Sequence, residues 1–298
     1  NRVVPYPFAK WPGGKGRMIG HIIPRMPSKI ETYFEPFLGS GAVFFELVRQ
    51  NKFKHAVISD SCEELMNAYL VIQSLVEPLI KELQTGSYKY NKTNYLRIRA
   101  VDPTTLDPVQ GAARFIYLRK TCFNGLYRVN TKTGAFNVPF GSYKNPVICD
   151  EENLRAISKA LESVKVLCGD FEKAIAGAKE GDVVYFDPPY QPISKTSKFT
   201  GYNKTGFIDD DQRRLAACFE QLVESGVCCV LSNSYAPLTM ELYAKHTITE
   251  HMGARSIGGP ASYRKPKKEI IVSGVCKPSD DSRTDPRDHT EQTPSPGC

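Results

Sequence analysis

Apolar residues in this chain follow two alternating rhythms. Short runs of four to six residues, rich in Val, Ile, Tyr and Phe, read as strands, and between them lie stretches with the i, i+3, i+4 spacing of amphipathic helices. The first strand, Tyr33-Phe34-Glu35-Pro36-Phe37, runs into Leu38-Gly39-Ser40-Gly41, and residues 42–51 then carry helical spacing. Residues 56–60 read as a second strand and 63–83 as a helix. Residues 84–145 break the rhythm: 114–120 is helical, and 127–140 reads as a hairpin around Thr131-Lys132-Thr133-Gly134. Beyond residue 146 the alternation resumes, with a helix at 151–163 and a strand at 164–167 ending in Gly169-Asp170-Phe171. A strand at 182–186, a helix at 209–225 and strands at 227–232 and 270–275 complete it.

Strands alternating with helices predict an α/β fold with a doubly wound, mostly parallel, Rossmann-like sheet. The expected division is a discontinuous domain of residues 1–83 and 146–276, an inserted helical and β-hairpin domain of 84–145, and a disordered tail at 277–298, rich in Pro, Asp, Ser and Thr. Strand ends deliver Glu35 and Phe37, Asp60, Asp170 and Asp187 to one edge, where open α/β sheets bind ligands.

Charge sharpens the picture. The net charge is +7, and between residues 88 and 145 ten Lys or Arg residues, Arg119 among them, oppose only Asp102 and Asp107. Ten Tyr and Phe residues are interleaved with them. Such a segment suits phosphate neutralisation and base stacking, with a solvated charged face as the alternative. Nine Cys without C-x-x-C spacing, mostly in apolar surroundings, read as small buried hydrophobes of a reducing compartment. The five His are scattered, so no metal is expected, and neither a membrane-spanning run nor a signal peptide is visible. The expectation is a cytoplasmic, nucleic-acid-associated monomer that uses neither metal nor membrane.

Asp187-Pro188-Pro189-Tyr190 follows the strand at 182–186. Two prolines cannot continue a ladder, so the chain turns out at the strand's carboxyl end. A carboxylate, a stiff carbonyl and an aromatic face come together there, as holding a flat, amino-bearing heterocycle requires; a plain strand-ending turn is the alternative. Gly39 and Gly41 permit a tight turn and close ligand approach before a helix N-terminus. Asp60, 19 residues on, can accept from ribose hydroxyls, cap the following helix, or both. Lys10 to Lys15 fails the Walker pattern, since Gly16 follows Lys15, so ATP binding is a poor reading.

These blocks together resemble the Dam-type DNA adenine-N6 methyltransferases, the D12 class with the α arrangement of motifs. The matching segments are 8–15 (FAKWPGGK), 34–44 (FEPFLGSGAVF), Asp60, 122–130 (CFNGLYRVN), 136–144 (FNVPFGSYK), 169–171 (GDF), DPPY at 187–190 and 194–207 (SKTSKFTGYNKTGF). The likeness spans residues 8–275 in the family's order. It implies S-adenosyl-L-methionine as methyl donor, with Trp11, Lys15, Asp60 and Asp187 as cofactor contacts and Phe37, Asp170 and Phe171 lining the same pocket. Trp11, taken alone, reads equally as an ordinary packed aromatic.

The resemblance also implies double-stranded DNA as partner, GATC as target and adenine as the methylated base. Asp187 and the Pro188 carbonyl would accept the N6 hydrogens, and Tyr190 would stack on a flipped base. On the DNA side, Arg128 can pair with guanine, and Leu126 and Pro139 can touch a thymine methyl; a phosphate contact and hairpin packing are the alternatives. The hairpin also carries Asn124 and Tyr143. By resemblance Lys10 reads a guanine, and Phe123 and Asn124 fill the gap left by flipping. Lys198 belongs to a segment expected to close over the extruded nucleotide, or to be a plain surface loop. Ser142 stands where relatives often carry a basic residue, which weakens phosphate grip there. The basic run Arg264-Lys265-Pro266-Lys267-Lys268 reads as a backbone contact or a solvated loop. The competing readings are an inactive DNA-binding relative and an RNA-directed enzyme; RNA- and protein-amide relatives usually carry Asn where this chain has Asp187.

Overall fold

A computed structural model describes residues 3–130, 132–191, 206–255, 266–274 and 276. Its centre is a seven-stranded sheet in the order β3-β2-β1-β4-β5-β7-β6. The strands are β1 (Ile30–Glu35), β2 (Phe53–Asp60), β3 (Val164–Cys168), β4 (Val183–Phe186), β5 (Cys228–Ser234), β6 (Thr247–Arg255) and β7 (Pro266–Ser273). The first five run parallel, and β7 lies antiparallel between β5 and β6. The fold is therefore α/β, with a mostly parallel sheet of the kind the alternation predicted.

β4 is buried along its whole length, and its side chains alternate between two cores. Val183 and Tyr185 join the core that also holds Tyr33, Val230 and Ile271. Val184 and Phe186 join the other, with Phe34, Leu231 and Val272. This period of two, with apolar residues on both faces, marks a sheet sandwiched between helical layers. Each fully buried Phe, Val or Leu contributes about 1.5–3 kcal/mol.

The helices are α1 (Ile19–Ile22), α2 (Ala42–Arg49), α3 (Glu63–Ser74), α4 (Val76–Leu83), α5 (Lys92–Ala100) and α6 (Pro108–Thr121), followed by α7 (Glu151–Leu161), α8 (Phe171–Ile175), α9 (Asp209–Glu224) and α10 (Pro237–Leu242). The single helix expected at 63–83 is two. Leu75 leaves helical geometry between them, because Pro78 has no N–H to donate to Ser74 and its ring crowds that carbonyl.

The inserted segment is more helical than expected. α6 begins with a capping box in which Asp107 and Gln110 satisfy each other's backbone. Its Phe115, Ile116 and Leu118 belong to the same core as Ile72 and Leu83 of α3 and α4. The expected hairpin at 127–140 is, among the described residues, an irregular ribbon with a bridge between Val129 and Phe136. Pro139 cannot donate to a ladder, and Gly134 sits at φ 70°.

β6 was not expected, and β7 runs antiparallel. The antiparallel pairing brings Cys276 beside Cys228, and the two are joined in a disulfide across 48 residues. Free thiols throughout were expected; the correction arises from strand adjacency, which local spacing does not encode. Cys62, Cys122, Cys149, Cys168, Cys218 and Cys229 are free. Among the described residues no helix is long and apolar enough to cross a membrane. The tail at 277–298, Lys198, and Arg264 and Lys265 of the basic run lie outside the described residues.

The chain winds outward from β1 to β2 and β3, then returns to place β4 on the other side of β1. The crevice at such a reversal is where open α/β sheets hold ligands. Tyr33 pairs with Val183 and Phe34 with Val184. Continuing that register brings Phe37, just before the glycine turn, level with Asp187.

Candidate active site

Asp187 leaves β4 at the point where Pro188 and Pro189 end the ladder. The turn is pinned from β5 and α9: Gln212 donates to the Pro189 carbonyl at 3.0 Å, and the Gln191 amide donates to Asn233 Oδ1 at 3.1 Å. Ser234 Oγ donates to the Gln191 carbonyl at 2.6 Å. The Asp187 carboxylate receives Lys15 Nζ at 2.9 Å and Ser232 Oγ at 3.1 Å. Tyr185 OH lies 2.7 Å from Ser232 Oγ. Ser232 spends its one proton on Asp187, so Tyr185 is the donor of that pair.

Both partners of the carboxylate land on Oδ1. Among the described residues, no hydrogen bond reaches Oδ2 or the Pro188 carbonyl, so two acceptors remain for a substrate amine. Burial pushes the Asp187 carboxyl above its ordinary range; Lys15 and Ser232 oppose this, and Glu269 adds to it. Lys15, 8% exposed in its side chain, also donates to the Gly13 carbonyl at 2.7 Å. Its Nζ sits 4.6 Å from the centre of the Tyr190 ring, whose hydroxyl donates to Glu269 Oε2 at 3.0 Å.

The glycine turn lines the same cleft. Gly39 and Gly41 adopt φ of 52° and 73°. A Cβ on Gly39 would stand 2.7 Å from Trp11 Cδ1, so the turn and the Trp wall require glycine there. Trp11 stacks on Tyr127 at 5.2 Å. Asp60 ties the turn to β2, accepting from the Gly39 amide at 2.9 Å and the Cys62 amide at 3.0 Å. Asp60 is not the cap of the next helix, since Cys62 occupies that position. Burial raises the Asp60 carboxyl, against the pull of its backbone donors. Glu35 is 2% exposed and accepts Tyr33 OH at 2.8 Å. Burial holds its carboxyl well above the usual range.

Beyond the turn, Phe37, Phe171 and Phe207 form an aromatic slot. Phe37 lies 5.4 Å from Phe171 and 5.7 Å, edge-on, from Phe207. Arg214 covers the Phe171 face at 4.4 Å and grips Asp170 with two hydrogen bonds, at 2.8 and 2.9 Å. That pairing holds the Asp170 carboxyl below its usual range.

Residues of the 84–145 segment line the cleft too. Lys10, Asn124, Leu126 and Tyr143 line the same cleft as Asp187 and Gly39. The Lys10 ammonium sits 5.3 Å from the Tyr143 ring centre. The cleft measures about 2950 Å³. A single small-molecule pocket is roughly 300–1,000 Å³, so there is room for a cofactor and a nucleotide together.

Phe123, Arg128 and Pro139 are exposed and do not line the cleft. Arg128 donates to Asn137 Oδ1 at 2.7 Å. Arg119 is a correction. It was expected to touch DNA, yet it is 1% exposed, and its guanidinium is engaged by the carbonyls of Leu126 (2.6 Å), Gly125 (2.5 Å) and Lys10. It fixes the loop that carries Asn124 and Leu126 instead. Among the described residues, no cluster of His, Cys, Asp and Glu is arranged to hold a metal.

Sequence reasoning did not single out Ser232, Glu269, Arg214 or Tyr127. Ser232-Asn233-Ser234 carried a usable signal, because three polar residues at the carboxyl end of an apolar strand obey the rule that found Asp187. Glu269 carried none, since its place depends on the antiparallel register of β7.

Residues 11–257 match the family described as D12 class N6 adenine-specific DNA methyltransferase. A type II methyltransferase of Lactococcus lactis subsp. cremoris, M1.LlaDCHI, is 45% identical over 92% of this chain and 96% of its own length. M.MjaIII of Methanocaldococcus jannaschii, also a type II methyltransferase, is 43% identical over 87% of this chain and 95% of its own. The DNA adenine methylase of Escherichia coli K12 is 32% identical, covering 91% and 97%.

Proposed function

Because the chain belongs to the D12 class of N6 adenine-specific DNA methyltransferases, we propose that it moves a methyl group from S-adenosyl-L-methionine to adenine N6 within GATC. In this reading residues 84–145 are the target-recognition unit, and the target base is flipped out of the duplex to reach Asp187.

The observation that carries the reading is the Asp187 carboxylate, held on Oδ1 by Lys15 and Ser232 in the cleft shared with the Gly39 turn. The residues suit the cofactor. Asp187 and Asp60 place carboxyl groups in the cleft where a sulfonium would lie, and Gly39 permits close approach. Phe37 and Phe171 offer faces for its adenine, and Trp11 walls the turn. When bound, the cofactor supplies an electrophilic methyl group.

The protein's own contribution is placement. Asp187 and the Pro188 carbonyl each accept one N6–H, which turns the amine's lone pair out of the ring plane. Tyr190 stacks on the base, worth about 1–3 kcal/mol. Asp187 then takes the proton that N6 loses on methylation. Orientation of this kind supplies about 7–11 kcal/mol of barrier reduction. Lys10, Leu126, Arg128 and Pro139 support the GATC assignment through the base edges that such side chains read.

The test is protection of plasmid DNA from a nuclease that is blocked by adenine-methylated GATC. Protection that requires S-adenosyl-L-methionine is expected. Full digestion despite methyl incorporation into another sequence overturns GATC, and incorporation into RNA alone favours the RNA-directed alternative.

The pH dependence has a defined sign. Ionised Asp187 is the working form, and burial raises its pKa above 3.8. The kcat/KM profile therefore has an acid limb above pH 3.8, with activity lost as pH falls through it. Ser232→Ala removes a hydrogen bond that favours the carboxylate, so the limb moves to higher pH. A limb that stays in place in S232A contradicts the assigned contact.

A further inference from the structure

We propose that Glu269 is a positioning residue whose carboxylate, reaching across from β7, holds the Tyr190 ring where the extruded base must stack. The inference rests on the proposed base-flipping reaction and adds to it a residue outside the tetrapeptide.

Glu269 sits on a sheet strand rather than a loop. It pairs with Ser234 of β5 on one side and with His251 of β6 on the other. Two ladders thus fix its backbone. Its Oε2 lies 3.0 Å from the Tyr190 hydroxyl and lines the same cleft as Asp187.

The geometry divides the work chiefly between two contacts, Ser232 being a further neighbour of the phenol that already gives its proton to Asp187. The phenol oxygen lies on the axis about which the ring spins, so a tether there fixes where the ring points but not its tilt. Lys15 Nζ, 4.6 Å from the ring centre, covers one face and sets the tilt. In the proposed reaction the base stacks on the opposite face. Lys15 is also the partner of Asp187, so the same ammonium relates the stacking face to the acceptor carboxylate.

The phenol donates to this carboxylate. A largely buried hydroxyl without an acceptor costs the full desolvation of its proton. Burial and the neighbouring Asp187 and Glu269 carboxylates push the Tyr190 phenol well above its ordinary pKa, so it remains a donor. An untethered ring would swing about its Cα–Cβ bond, and misplacement by about 1 Å costs on the order of a hundredfold in rate.

The experiment is a single-turnover methylation of a GATC duplex at saturating S-adenosyl-L-methionine. Glu269→Ala is expected to slow transfer about ten- to a hundredfold, with little change in the duplex concentration that gives the half-maximal single-turnover rate. Glu269→Gln still offers an oxygen to the hydroxyl and recovers most of the rate. Tyr190→Phe removes the hydroxyl, so adding Glu269→Ala to it produces no further loss. Full multiplication of the two losses overturns the proposal, as does a wild-type rate in E269A. If E269A fails to fold by thermal melt, Y190F carries the test, and a wild-type rate there removes the tether. A wild-type protein inactive on every DNA would instead sink the reading on which the inference stands, so the two failures are distinguishable.

Discussion

Asp187→Ala is expected to lower methyl transfer at least about a hundred- to a thousandfold, the scale on which a lost polar contact to a reacting centre is felt. Duplex affinity should stay within a few-fold of wild type. The carboxylate has two tasks in this account, accepting an N6 hydrogen and taking up a proton, and alanine performs neither. The affinity expectation follows from location. Asp187 follows the end of β4, whereas Lys10, Leu126 and Tyr143 line the same cleft from other segments of the chain. Lys15 loses its partner in the variant but keeps the Gly13 carbonyl and the Tyr190 ring. Methyl incorporation read beside fluorescence anisotropy on a labelled duplex separates the two quantities. Retained transfer would remove Asp187 from its role, and a parallel collapse of duplex binding would make it a structural residue.

Arg119→Met is expected to destabilise the protein by about 3 kcal/mol or more. A buried carbonyl that loses its donor costs about 1–3 kcal/mol, and the guanidinium serves three. For a chain of this size that amounts to a fall of roughly 6–12 °C in Tm. The loop at 123–126 should lose its fixed approach to Lys10, so discrimination between GATC and single-base variants should weaken more than overall DNA affinity. Calorimetry and competition with variant duplexes measure the two effects. Unchanged stability would show that methionine packing compensates; a uniform loss of affinity with unchanged selectivity would return Arg119 to phosphate contact.

These two residues show where sequence reading succeeds and where it stops. Asp187 was legible because its environment is local: an apolar strand, two prolines that end it, and a known place for such ends in an α/β sheet. The Gly39 turn and Asp60 were legible for the same reason. Arg119 looked like a phosphate contact because charge composition does not report direction, and only the packing of α6 turns the guanidinium inward. Asp60 was half read, since its backbone partners depend on β1 and β2 lying side by side. The break at Leu75 was encoded by Pro78. The antiparallel β7, the Cys228–Cys276 bond and the Tyr190–Glu269 contact all arise from one non-local pairing, and no periodicity along the chain announces it.

The central claim is that Asp187, Pro188 and Tyr190 present an adenine amine to a methyl donor. Mass spectrometry of nucleosides from duplex DNA incubated with the protein and S-adenosyl-L-methionine tests it most directly. N6-methyldeoxyadenosine, formed by the wild-type chain and absent with Asp187→Ala, is the predicted product. Methylation at a cytosine, or N6-methyldeoxyadenosine formed equally by the alanine variant, would contradict it.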